Sequence, residues 1–281
     1  MKASVYQPNL DLEKKWSYQG LNITKTLMED SIETAVSSEL IIFPETALIK
    51  NVNDIQGWLK QLDKKAKDKG VGLLTGIIGE QNRENGKNFA TNRLLGIGAA
   101  RGSYDKKHLV PFGEYIPLAK FFNSWLDLLG IRITDYAQGE GKQFLNIGKI
   151  NISPSICYEI AFVELVRQTA KDSNILVTIS NDTWFGTSLG PYQHLEIAQN
   201  RAIEHQKSLI RSTNSGISAI INNRGKILNK QDYFEEKVLS EKVVLYKGST
   251  PFGIVGNLPI YLYLLVIFVY SILNKRTYVI L

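Results

Sequence analysis

The chain has 281 residues, 44% hydrophobic, 21% charged and 10% aromatic, enough to bury the core of one large domain or two small ones and too apolar for a disordered chain. Thirty-three Lys and Arg against 27 Asp and Glu leave a net charge of +6, which favours anionic surfaces in general without selecting one. The basic residues are scattered among acidic ones, and no helix-turn-helix or aromatic-basic motif appears, so nucleic acid is not an expected partner. The single cysteine excludes an intramolecular disulfide or a cysteine-rich metal centre. His108, His194 and His205 lie far apart without a ligand rhythm, so no metal or other cofactor is expected.

From the first residue to about residue 246, short β-rich runs alternate with amphipathic helical stretches, the pattern of an α/β domain. Strands are expected over 4–7, 40–43, 72–78, 92–97, 151–156 and 176–180. A further pair, 208–213 with 218–222, is turned over by Asn223, Arg224 and Gly225. Between them, Met28, Ile32, Ala35 and Val36 mark one helical face, Ile55, Trp58, Leu59, Leu62 and Ala66 a second, and Val163, Val166 and Ala170 a third. Gly96, Gly98 and Gly102 nearly form a dinucleotide loop, but their spacing is wrong and no long helix follows at once.

A mean hydropathy of −0.11 excludes a polytopic membrane protein, yet the apolar residues are unevenly placed. Leu258–Leu273 reads LPIYLYLLVIFVYSIL without a charge. Counted back to Phe252, the uncharged stretch approaches the roughly 20 residues that a spanning helix needs, with Lys275 and Arg276 closing it. A transmembrane helix is therefore expected at the C-terminal end, its basic flank cytoplasmic and the large domain outside. Near Met1, Lys2 is followed by Ser4, Gln7, Asn9 and Asp11, so no apolar run there serves as an export signal, and the chain reads either as a fragment or split partner of a longer membrane protein or as a tail-anchored protein whose domain stays inside.

Three places share one design, an apolar run that ends in a reactive side chain: LIIFPET at Glu45, GSYDKKHLVPFGEY at Lys106 and ISPSICYEI at Cys157. Strand ends are where α/β folds place active sites. A cysteine forms a thioester when a base takes its proton and a cation or amide donor steadies the tetrahedral oxyanion. Glu45 and Lys106 are candidates for those two roles. Singly, each has an ordinary explanation: Cys157 as a small buried hydrophobe, Glu45 as a turn cap, Lys106 as part of a solvated basic loop.

Taken together, these segments resemble the nitrilase superfamily of carbon–nitrogen hydrolases and acyltransferases, in which Glu, Lys and Cys follow in this order. FPETAL, YDKKHLVPFGEYIP, ICYEI, and SNDTWFG followed by GPYQHLEIAQNRAIE resemble the apolipoprotein N-acyltransferase family within it. TPFGIVGNLP leading into an apolar run resembles that family's passage from the catalytic domain into its last membrane helix. The resemblance implies a four-layer α-β-β-α sandwich, with residues 1–250 as the catalytic domain and 251–281 as the membrane-anchoring helix and tail. It implies that Cys157 takes an acyl chain from a phospholipid and passes it to the N-terminal amine of a diacylglyceryl-cysteine lipoprotein. Glu45 is then the general base and Lys106 the oxyanion partner. Glu114, Tyr158, Glu159 and Asn92 are supporting residues, and Trp184 lines the substrate pocket.

The same resemblance implies a bacterial inner-membrane location with the catalytic domain extracytoplasmic. It also implies a separate polypeptide that carries the family's earlier membrane helices. Two other readings stand beside it: a membrane-anchored amidase or nitrilase with water as acceptor, and an inactive fragment or partner subunit of a split acyltransferase.

Overall fold

The computed structural model describes residues 1–34, 38–82, 88–115, 136–141 and 143–274. Among them run thirteen strands: β1 (Lys2–Gln7), β2 (Leu40–Ile42), β3 (Leu48–Asn51), β4 (Gly72–Asn82), β5 (Asn88–Gly98), β6 (Ala100–Asp105), β7 (Phe144–Ile147), β8 (Ile150–Ile156), β9 (Ile175–Ser180), β10 (Leu209–Thr213), β11 (Ala219–Ile221), β12 (Ile227–Lys230) and β13 (Lys237–Lys242). Hydrogen bonds link them in the order β12-β11-β10-β9-β8-β7-β6-β5-β4-β2-β1-β13, with β3 paired to β4. The β7–β8 hairpin joins the two halves through two residue pairs, Asn146 with Asn151 and Ile147 with Ile150.

Because side chains alternate across a strand, each central strand feeds two cores. Ala3 and Val5, Leu40 and Ile42, and Leu74 point to an inner core. There they meet Ile156, Ile175, Val177, Ile179, Ile210 and Ile220 of the other half, so the two halves lie face to face. The intervening residues Tyr6, Ile41, Phe43, Leu73 and Ile77 point outward against α2 (Tyr18–Thr34) and α3 (Gln56–Asp68), through Leu21, Met28, Ile32, Leu59, Leu62 and Ala66. On the opposite side, Leu176, Leu209, Ala219 and Ile221 meet α4 (Val163–Ala170) and α5 (Gly190–His205) through Val166, Ala170, Leu195, Ala198 and Ala202. Strands buried on both faces read as continuous apolar runs. That is why 40–43 and 176–180 were legible as strands.

Two local expectations need correction. The turn at Asn223, Arg224 and Gly225 joins β11 to β12, closed by the Asn222 N–H to Lys226 O bond, and β10 reaches β11 earlier in the chain. The uncharged C-terminal stretch is not one helix. It breaks at Gly256, whose φ of +59° is left-handed, into α6 (Pro251–Val255) and α7 (Leu258–Leu273). The 16 residues of α7 rise only about 24 Å at 1.5 Å each, short of the roughly 30 Å hydrocarbon core. Among the described residues no helix is long and apolar enough to cross a membrane. Ala35, Val36, Lys275 and Arg276 lie outside the described residues.

Every residue of α7 is exposed. The preceding α6 is anchored: Arg167 donates to the carbonyls of Gly253 and Ile254 at 3.1 and 3.0 Å, and the Thr250 hydroxyl donates to Glu204 O at 2.6 Å.

Candidate active site

The ends of β2, β6 and β8 deliver the three reactive side chains. After β2, Pro44 has no N–H to continue the ladder, and the chain turns through Thr46 at φ +45°. That turn lies so close to β4 that a Cβ on Gly76 would stand 2.3 Å from the Thr46 nitrogen and 2.7 Å from Glu45 Cα. Glu45 is 6% exposed. Its Oε1 accepts from Asn92 Nδ2 at 2.7 Å and its Oε2 from the Asn181 N–H at 2.8 Å.

Lys106 follows β6, whose last residue, Asp105, is gripped by Arg93 through Nε at 2.6 Å and Nη2 at 2.8 Å. The Lys106 ammonium is 1% exposed. It stands 2.8 Å from Glu114 Oε2 and 3.5 Å from Glu45 Oε1. The Glu114 carboxylate also accepts from Asn92 Nδ2 at 3.0 Å and from the Val110 N–H at 2.8 Å, so Asn92 bridges the two carboxylates.

Cys157 opens a 3-10 turn (Cys157–Ala161) directly after β8, at φ +54°. A non-glycine residue held there is strained by about 1–3 kcal/mol, and such strain persists only where the surroundings over-determine it. The partly exposed Cys157 interacts electrostatically with both Glu45 and Lys106, and with the Ser180 hydroxyl by hydrogen bonding. Burial, and then the Glu45 carboxylate, push the thiol up to about 12. Burial lowers Lys106, but Glu45, Cys157 and Glu114 outweigh it and hold the ammonium above its ordinary range. At neutral pH Cys157 is therefore a thiol and Lys106 an ammonium, with Glu45 beside both. This arrangement suits attack by sulfur coupled to proton transfer, with a cation facing the developing oxyanion.

Of the other expected residues, Glu159 is fully buried, beneath the nucleophile turn. Its Oε2 accepts from the Ile156 N–H at 2.8 Å, and its Oε1 from the N–H groups of Lys107 and His108 and from the Tyr104 hydroxyl. Tyr158 is 46% exposed and packs edge-on against Phe162 at 5.0 Å. Trp184 is 72% exposed, on the 3-10 turn after β9. Phe112 is also exposed, on the loop between Lys106 and Glu114.

Several groups at the site were not anticipated. Lys15, at the end of α1 (Leu12–Lys15), is 3% exposed and donates to the Glu45 carbonyl at 2.8 Å. Burial lowers it to about 8 despite Glu45 and Cys157. Nothing in the charged run LEKK distinguishes it from a surface lysine. Tyr136 faces Glu114 and Glu45, and burial followed by those charges raises its hydroxyl to about 12. Ser180, Asp182, His194 and Arg211 form a buried cluster behind Cys157. Asp182 and His194 lie in the SNDTWFG and GPYQHLEIAQNRAIE segments already singled out, where the exposed aromatic had drawn attention instead.

The chain is 35% identical over 277 residues to an apolipoprotein N-acyltransferase of Pseudomonas syringae pv. tomato, covering 98% of this chain and 55% of that protein. It is 36% identical over 275 residues to an apolipoprotein N-acyltransferase of Haemophilus influenzae, covering 93% of this chain and 52% of that protein. The chain thus spans about half the length of the curated relatives it matches. The fold is similar to that of a CN-hydrolase superfamily protein from Xanthomonas campestris, with a TM-score of 0.61 at 16% identity, covering 100% of this chain and 98% of the other. Residues 2–247 match the carbon-nitrogen hydrolase family, and with a cysteine, an ammonium and a carboxylate brought from three strand ends to one site, the chain belongs to that family.

Proposed function

We propose that this chain is the catalytic part of a lipoprotein N-acyltransferase that works through a Cys157 thioester. The observation that carries the reading is the Lys106 ammonium held between Glu45 and Glu114 within electrostatic reach of Cys157, in a chain whose curated relatives are named apolipoprotein N-acyltransferase. Cys157 Sγ attacks the carbonyl carbon of a phospholipid ester while its proton passes to Glu45. Lys106 stabilises the oxyanion. As the carbon–oxygen ester bond breaks, the leaving lysophospholipid oxygen takes the proton from Glu45. The free amine of a diacylglyceryl-cysteine lipoprotein then attacks the thioester and gives up a proton to Glu45. The carbon–nitrogen bond forms, the carbon–sulfur bond breaks, and the thiolate recovers that proton.

In this reading Glu114 and Asn92 orient Lys106 and Glu45, Glu159 shapes the nucleophile turn, and Tyr158 and Trp184 meet the lipid substrate at the mouth of the site. Exposed, uncharged and mostly aliphatic and aromatic, α7 supports contact with a lipid surface rather than a span by this helix alone. The location proposed is the outer face of a bacterial inner membrane. Export and lateral lipid entry are assigned to sequence outside this segment, on the same or on a separate polypeptide.

The detergent-purified chain is incubated with a phospholipid carrying a labelled acyl chain and examined by intact-protein mass spectrometry. An acyl adduct released by hydroxylamine and absent in Cys157→Ser is expected. No adduct, together with ammonia release from small amides, overturns the acyltransferase reading in favour of an amidase.

A further inference from the structure

Behind the nucleophile runs a closed circuit of buried polar groups that the thioester chemistry does not itself use. The Ser180 hydroxyl interacts with the Cys157 thiol and donates to Asp182 Oδ1 at 2.6 Å. Asp182 Oδ2 lies 2.5 Å from Arg211 Nη2, and Arg211 Nη2 stands 3.1 Å from His194 Nδ1. His194 Nε2 is 3.1 Å from the carbonyl oxygen of Cys157. The circuit leaves Cys157 at its sulfur and returns to it at its backbone. Asp182 and Arg211 are fully buried and His194 is 6% exposed. A Cβ on Gly216 would stand 2.3 Å from Asp182 Oδ2, so the chain has left room for this carboxylate and nothing more. The Asn181 N–H, one residue before Asp182, holds Glu45 Oε2.

The partners of the ring constrain its protons. A proton on Nδ1 alone would reach Asp182 Oδ1 at 3.2 Å, but it would crowd an Arg211 N–H at 3.1 Å and leave the Nε2 lone pair facing the Cys157 carbonyl oxygen, acceptor against acceptor. With the proton on Nε2, that nitrogen donates to the carbonyl and Nδ1 accepts from Arg211. The Nδ1 lone pair then lies 3.2 Å from Asp182 Oδ1, an acceptor-acceptor contact offset by Arg211 Nη2, which reaches both Asp182 Oδ2 and Nδ1. Burial and then the adjoining Arg211 outweigh Asp182 and the Cys157 carbonyl, which favour the imidazolium, and hold the ring below its ordinary value.

We propose that His194, fixed by Asp182 and Arg211 as the neutral Nε2–H tautomer, is a positioning residue that holds Cys157 in its left-handed conformation and so keeps the sulfur facing Glu45 and Lys106. The inference deepens the thioester reading and rests on it for its relevance to acyl transfer. Its test does not, because Cys157 is the only cysteine in the chain and alkylation by iodoacetamide reports its thiol directly.

In the full chain, His194→Leu is expected to slow alkylation of Cys157 at pH 7 by about tenfold, the factor that corresponds to losing one hydrogen bond of ordinary strength. His194→Gln keeps a donor for the carbonyl and an acceptor for Arg211 and is expected to recover most of that rate. Equal rates in wild type, His194→Leu and His194→Gln, all folded by circular dichroism, overturn the proposal. A second measurement needs no destabilised variant: nitrogen-15 NMR of histidine-labelled wild type, with the His194 signals identified by their loss in His194→Gln. An unprotonated Nδ1 and a protonated Nε2 are expected at pH 7. The opposite tautomer, or an imidazolium, overturns the proposal. Failure of phospholipid acylation with the tautomer and alkylation pattern intact would refute the acyltransferase reading and leave the positioning role standing.

Discussion

Glu159 Oε1 accepts the backbone N–H of Lys107 at 2.6 Å while the other oxygen of the same carboxylate accepts the N–H of Ile156. One buried side chain thereby ties the backbone just after Lys106 to the backbone just before Cys157. The ends of β6 and β8 cannot separate without leaving a buried acceptor or several buried N–H groups unpaired, each costing about 1–3 kcal/mol.

Glu159→Gln is therefore expected to destabilise the fold out of proportion to its size. The amide presents one acceptor oxygen and an NH2 with two donors where the carboxylate met four donors. A loss of about 2–3 kcal/mol in urea unfolding is expected, with Cys157 acylation reduced even in the fraction that folds. An unchanged midpoint would show that the carboxylate does not join the two strand ends.

Lys106→Met leaves Glu45 and Glu114 facing each other without the cation 3.5 and 2.8 Å away. If Lys106 stabilises the oxyanion, acyl-enzyme formation should fall by about 100- to 1000-fold, the range for removing one such donor. Single-turnover acylation measures this. A fall of less than about fivefold would remove Lys106 from the chemistry.

Lys15 makes a prediction about stability against pH. Its folded value of about 8 lies below the ordinary 10.5, so between those values the unfolded chain binds more protons and stability rises with pH. The effect amounts to about 3 kcal/mol at most, at 1.36 kcal/mol per unit. Cys157, raised from 9.0 to about 12, works in the opposite direction over the upper part of the window, so the comparison belongs in a Cys157→Ser background. There, Lys15→Met should be more stable than its parent at pH 7, and the advantage should shrink as pH climbs from 8 to 10.5. A constant difference across that range would mean that Lys15 titrates normally.

Trp184→Ala separates lipid contact from folding. At 72% exposure the indole contributes little to the fold, and the unfolding free energy should change by no more than an ordinary surface substitution, about 0.5 kcal/mol. If the ring meets the acyl donor, acylation of Cys157 from phospholipid vesicles should weaken several-fold while alkylation by iodoacetamide is unchanged. Equal acylation would take Trp184 out of the substrate path.

The sequence by itself determined the strand and helix periodicities and the α/β class, and singled out Glu45, Lys106 and Cys157 as candidates at the ends of apolar runs. All of these depend on neighbours a few residues apart: an apolar run, a helical spacing, a proline that ends a ladder. Tertiary structure alone decided the rest. Asn181 reaches Glu45 across 136 positions and Glu159 reaches Lys107 across 52. Lys15 looks like a surface lysine until α1 is laid over the Glu45 turn, and His194 looks isolated until α5 brings it under Cys157. The C-terminal run is uncharged from Phe252 to Asn274, yet a left-handed Gly256 divides it into two helices. Hydrogen-bond partners, burial and backbone conformation are set by which segments meet, and that information is distributed over the whole chain rather than written at any one position.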